Sequence, residues 1–102
     1  MKDKIHQLTT VINKIPFNQT LGLQIETVEK DHIKLRFDMK ENLIGNFFHG
    51  ILHGGVTSAV LDMAGGAAAM IATGLIHAER SVVGLGEILG KCSTINFHID
   101  YL

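Results

Sequence analysis

The chain has 102 residues, 46% of them hydrophobic and 19% charged, with a formal net charge of −1. That length fits one domain with a real core. The composition excludes a disordered polyelectrolyte, and the near-balanced charge excludes a protein-wide field drawing the chain to nucleic acid or an anionic membrane. A single cysteine, Cys92, rules out an internal disulfide and fits a reducing, cytoplasmic setting. The mean hydropathy of +0.24 is high for a small soluble protein, so apolar surface is expected to be covered in an oligomer or near a membrane. Met1 to His6 carries charge at once and lacks the apolar run of a signal peptide.

Ile5, Leu8, Ile12 and Ile15 recur at helical spacing and predict a helix over 4–15, ended by Pro16 because the residue before a proline is pushed out of the helical region. Phe17 to Gly22 is expected to be a connector. Alternation of apolar and polar residues from Leu23 to Val28 and from Ile33 to Asp38 predicts a β-hairpin with one wet face, turning at Glu29–His32. Glu41 to His53 is expected to be a loop, its apolar residues packing on a neighbour. Gly54-Gly55 opens a long predicted helix, Val56 to Thr73. Asp62 lies within it and counts against a membrane span, since a central Asp costs about 2.5–3.5 kcal/mol on insertion; a helix apolar nearly all round is then expected to be buried inside a protein. Gly74 to Gly90 is expected to be irregular, and Ser93 to Leu102 a strand with Ile95, Phe97, Ile99 and Tyr101 on one face. This order gives an α+β class with an antiparallel sheet and one dominant helix.

The stretch richest in chemical information runs from Leu52 to Gly66. The N–H groups of a helix's first turn carry partial positive charge, and here they begin at two glycines, so an oxyanion can approach bare backbone. Gly55, Ser58, Ala59 and Asp62 share one helical face, with a donor at one end and a carboxylate further along. Alternatives stand beside this reading. Asp62 can face solvent or an arginine; His53 can bond a backbone carbonyl; Gly54-Gly55 alone most resembles an ordinary tight turn. The six histidines show no tight ligand spacing, so no metal and no cofactor are expected. Cys92 beside Lys91 reads better as a structural thiol than as a reactive one.

His53-Gly54-Gly55 with Asp62 nine residues after the histidine, on a helix that follows a hairpin, resembles the hot-dog-fold acyl-CoA thioesterases, in particular the PaaI-like branch and its YigI-type medium- and long-chain group. Pro16-Phe17-Asn18, Leu21-Gly22, Gly45-Asn46, Leu61-Asp62 and Asp100-Tyr101-Leu102 extend the likeness over essentially the whole chain. The resemblance implies a hot-dog fold, a long central helix wrapped by an antiparallel β-sheet. It implies Asp62 as general base or nucleophile, Gly54 as the backbone donor to the thioester carbonyl, and His53 as the residue orienting that loop. Thr94 would position the attacking water, usually from the opposite subunit. Asn46 would hold the carboxylate or water, although it stands one residue further from His53 than in many members of that branch. Gly55, Ser58, Phe47 and Met63 are the expected substrate-binding residues. Phe47, Phe48, Met63 and Met70 read either as lining of an acyl tunnel or, preferably, as core; Arg80 and Lys91 are candidates for the nucleotide part of CoA.

The expected function is hydrolysis of acyl-CoA to free acid and CoA by a homodimer or dimer of dimers, whose sites combine Asp62 of one chain with Thr94 of the other, without nucleic acid or membrane insertion. A hot-dog hydratase or dehydratase and a non-catalytic acyl-CoA-binding module are the alternatives. Members of the family continue beyond the equivalent of Leu102 into further strands. The 102 residues are therefore expected to be a single, C-terminally truncated hot-dog domain with an incomplete sheet and weak or no activity on its own.

Overall fold

The computed structural model describes residues 2–29, 32–76 and 91–100, and within them the α+β class stands. Helix α1, Lys2–Asn13, buries Leu8 and Ile12. It stops where predicted: Ile15, just before Pro16, is extended at φ −56 and ψ 127. The expected connector is instead a second helix, α2, Pro16–Leu21. Proline suits a first helical position because its missing N–H would have no intrahelical partner there. Gly22, at φ 73, closes α2 with its N–H directed to the carbonyls of Asn18 and Gln19. Two asparagines join neighbouring elements. The buried Asn18 donates from Nδ2 to the Ile12 carbonyl at 2.9 Å, and Asn13 Oδ1 accepts from the Ile25 N–H at 2.9 Å.

Strands β1, Gln24–Val28, and β2, Ile33–Arg36, form the predicted antiparallel hairpin, with a register irregularity between Ile25 and Thr27. The Glu29 N–H donates to the His32 carbonyl at 2.8 Å across the turn. Glu26, Lys34 and Arg36 make the wet face, with Glu26 3.5 Å from Lys34 and 4.0 Å from Arg36. These exposed pairs contribute little; what fixes the hairpin is its other face, where Ile25, Ile33 and Leu35 pack on the core.

The predicted loop over 41–53 is also more ordered than expected. A 3₁₀ turn, Glu41–Leu43, leads into a second small hairpin of β3, Ile44–Asn46, and β4, Ile51–Leu52. Its tip does not pack: Phe47 and Phe48 are 78% and 82% exposed and lie against each other with ring centroids 4.5 Å apart. They are neither core nor cleft lining, because the turn carries them away from both. The base of the hairpin does pack, and closely. A Cβ added at Gly45 would lie 2.6 Å from the His53 Cα, so only glycine lets this strand reach the head of the next helix.

That helix, α3, is Gly54–Ile76, longer than predicted at both ends. One face is buried: Val56, Val60, Met63, Ala67 and Ile71 recur at helical spacing and join α1 and both hairpins in two adjoining apolar clusters. The expectation of burial all round does not hold among the described residues, where Leu61 is 51% exposed. Gly54–Gly74 is long and apolar enough to cross a membrane by length and composition.

The predicted strand from Ser93 is corrected as well. Lys91–Asp100 forms no strand among the described residues, and Ile95 is 98% exposed. Alternation alone does not make a strand; it needs a ladder partner, and none of the described strands lies beside this segment. Tyr101 and Leu102 lie outside the described residues, as do His77, Glu79 and Arg80 of the predicted irregular stretch.

Candidate active site

The head of α3 is built around His53. Its N–H donates to the Leu43 carbonyl at 2.8 Å, and its own carbonyl accepts from Val56 at 3.0 Å and Thr57 at 3.4 Å. Its ring Nδ1 accepts from the Gly55 N–H at 2.8 Å. His53 is thus a helix cap acting through both main chain and ring, satisfying donors the helix cannot satisfy internally. The ring bonds a backbone N–H, not the carbonyl of the alternative reading, and so acts on the loop that the resemblance has His53 orient. It also orders the glycine pair, since a Cβ at Gly55 would lie 2.9 Å from His53 Nδ1. The Gly55 N–H therefore serves the cap, and the donor position implied by the resemblance, Gly54, is the residue before it. Ser58 Oγ donates back to the Gly54 carbonyl at 3.3 Å. Asn46 is a turn residue here, its Oδ1 accepting from the Phe48 N–H at 3.2 Å.

Two turns further along α3, Asp62 is exposed. It has a specific partner. Thr94 Oγ1 donates to Asp62 Oδ1 at 2.7 Å, the short distance typical of a hydroxyl on a carboxylate. The two residues meet within one chain, because residues 91–97 run back beside α3. The resemblance implies this pairing between chains; the bond here is made within one chain.

Asp62 and Thr94 lie in a cleft of about 750 Å³. Its floor is Gly65, Gly66, Ala69 and Met70 on α3, and Ile15, Met63 and Phe97 supply apolar wall. Lys91 and the free thiol of Cys92 are also at its edge. Of the residues expected from the sequence, the cleft brings together Asp62, Met63, Met70, Lys91 and Thr94. His53, Gly54, Gly55, Ser58, Asn46 and Phe47 do not line it. Gly65, Gly66 and Ala69 are legible as partners of Asp62 by helical spacing alone; Ile15, Asn96 and Phe97 are not, since only the tertiary fold brings them there.

The separation of the two halves has a chemical consequence. Gly54 and Asp62 are eight residues apart on one helix, about 12 Å along its axis. A reacting carbonyl must lie roughly 3 Å from both nucleophile and oxyanion donor. One α3 therefore cannot present both to one carbonyl. Among the described residues no group of three or more His, Cys, Asp or Glu is placed to hold a metal.

No family model matches the chain. The medium/long-chain acyl-CoA thioesterase YigI of Salmonella typhimurium is 38% identical over 88 residues, covering 86% of this chain and 57% of the relative. The protein of the same name from Escherichia coli K12 is 36% identical over the same shares. The chain thus spans a little over half the length of these curated relatives. Among solved structures, an X-ray structure of a thioesterase-superfamily protein matches with a TM-score of 0.64 at 28% identity, over 71% of this chain and 55% of that one.

Proposed function

From a homologue of the YigI acyl-CoA thioesterases with the hot-dog fold of the thioesterase superfamily, we propose that the whole protein hydrolyses acyl-CoA thioesters to the free acid and CoA. The observation that carries this reading is the 2.7 Å bond from Thr94 to the Asp62 carboxylate, at a cleft whose α3 side is small and apolar and whose far side adds Lys91, Ser93 and Asn96. Such a pair can hold a carboxylate oriented against a thioester carbonyl. With Oδ1 engaged by Thr94, Oδ2 is the oxygen aimed at chemistry. It acts either as general base, taking a proton from water as that water adds to the carbonyl, or as nucleophile, forming a mixed anhydride that water then opens. In both routes the thiolate of CoA leaves and takes up a proton.

The oxyanion formed on addition is met by the Gly54 N–H at a helix N-terminus, a donor worth about 2.7–4 kcal/mol when well placed. Because one α3 cannot bring Gly54 and Asp62 to the same carbonyl, the reactive unit is a homodimer: Gly54 of one copy faces the Asp62–Thr94 pair of the other. In this reading α3 is the central helix of the fold, not a membrane span. Lys91, the cation among the described residues that line the cleft, is placed to meet the CoA phosphates.

The test is hydrolysis of an acyl-CoA panel by the full-length protein with free-thiol detection, alongside Asp62→Asn. Turnover that falls by about 10² or more in the variant, with an unchanged circular dichroism spectrum, is expected for a base or nucleophile. Full turnover in Asp62→Asn, or none in the wild type, overturns the proposal. Hydration of an enoyl-CoA without hydrolysis would identify the hydratase alternative.

A further inference from the structure

We infer that Thr94 is itself a nucleophile for the acyl group, with Asp62 as its base; this rests on the thioesterase reading above and adds a third route to the two given there. The 2.7 Å bond runs from the Thr94 hydroxyl to Asp62 Oδ1. A hydroxyl within about 2.6–3.2 Å of a base has the geometry of an activated nucleophile. An ionised carboxylate only accepts, so the bond commits the Thr94 proton to Asp62 and leaves the lone pairs of Oγ for other use. Both residues line the cleft. Lys91, Cys92 and Ser93 line it too, but among the described residues Thr94 is the one whose side chain bonds Asp62. Threonine is β-branched and stiff at χ1, so little rotamer freedom is lost in holding Oγ there.

In the first step Thr94 Oγ adds to the thioester carbonyl while its proton passes to Asp62 Oδ1. The C–S bond breaks, and the thiolate of CoA leaves and takes up that proton. The acyl group is then an oxygen ester on Thr94. Exchange of a thioester for an oxygen ester runs downhill and needs no further reactant. In the second step Asp62 takes a proton from water as the water oxygen adds to the ester carbonyl. Thr94 Oγ leaves, regains a proton from Asp62, and the free acid is released. Groups held in reacting geometry reach effective molarities of about 10⁵–10⁸ M. A hydroxyl already seated on the base therefore outcompetes a water that must first be captured. The second step does need that water, so the ester accumulates.

The test mixes the full-length protein with palmitoyl-CoA, follows free thiol through the first turnover, and quenches samples in acid for mass spectrometry. A burst of about one thiol per site is expected, together with a palmitoyl group on the peptide that holds Thr94. That adduct should resist neutral hydroxylamine, which strips a Cys92 thioester or an Asp62 anhydride. Thr94→Ser keeps burst and adduct. Thr94→Val, with an unchanged circular dichroism spectrum, loses both, while Asp62 acting on water sustains turnover roughly tenfold lower. Wild-type turnover with no adduct on Thr94, or with the adduct on Asp62 or Cys92, overturns the inference. So does oxygen from isotopically labelled water appearing in Asp62, because the ester route puts that label in the product acid alone. If the wild type shows no turnover, the thioesterase reading fails separately, and the mass spectrum still decides: palmitoyl on Thr94 supports the inference, and its absence overturns it.

Discussion

Replacing Gly45 by alanine tests whether the small hairpin positions the head of α3. The new Cβ would lie 2.6 Å from the His53 Cα, 2.9 Å from its Cβ and 3.0 Å from its Cδ2. Carbon atoms rest at about 3.5–4.0 Å, so relief requires a shift of roughly 1 Å. Rotating a side chain cannot supply it, because the nearest atom is backbone. That backbone is itself held, by the 2.8 Å bond from the His53 N–H to Leu43 and by the pairing of Ile44 with Leu52. Overpacking of this kind costs about 1–3 kcal/mol, and each kcal/mol lowers Tm by roughly 2–4 °C in a domain of the length of the curated relatives. The displacement also passes to the first turn of α3, where a misplacement of about 1 Å costs on the order of 10²-fold in rate. The assay is thermal unfolding of the full-length protein together with palmitoyl-CoA hydrolysis. A Gly45→Ala variant with wild-type Tm and wild-type kcat/KM refutes the argument that this contact sets the helix head.

Three further outcomes are expected. Thr94→Val removes the 2.7 Å bond to Asp62; a bond to a charged group contributes about 1.5–3 kcal/mol, and exposure here favours the low end, so kcat/KM should fall roughly tenfold, with Thr94→Ser restoring most of it. His53→Ala deletes the ring acceptor of the Gly55 N–H and should cost about 1 kcal/mol, read from the urea midpoint; an unchanged midpoint would mean that the main-chain cap alone suffices. Ile71→Ala empties a site only 3% exposed at the meeting of α1 and α3 and should cost about 2–5 kcal/mol in the same assay.

Features that arise from local geometry are legible in the amino-acid order. The helical spacing of Leu8 and Ile12, the stop at Pro16, the alternation of Ile33, Leu35 and Arg36, and the long run after Gly54 each depend on neighbours in sequence, and each forms its predicted element. The same holds for the stripe that places Gly65, Gly66 and Ala69 on the side of Asp62. The departures are also local in origin. Pro16–Leu21 reads as a connector because proline ends the preceding helix, although proline also suits the start of the next one. Ser93–Leu102 reads as a strand because it alternates, although alternation says which face would be buried and not whether a partner strand is present.

The order of residues dictates a set of chemical groups and their spacing along each element: a carboxylate on a helix, a glycine pair two turns before it, a histidine at the helix start. Which of these groups meet is a property of the folded chain. Folding makes His53 a cap on Gly55, sends Phe47 and Phe48 to the tip of a hairpin, and brings Thr94, 32 residues away in sequence, onto Asp62 of the same chain. The physical reason is range. Backbone propensity and periodicity act over a few residues, whereas a contact such as Thr94–Asp62 depends on the path of the chain between them. Burial of apolar surface drives that path and is non-directional, so no local pattern in the sequence specifies its end points.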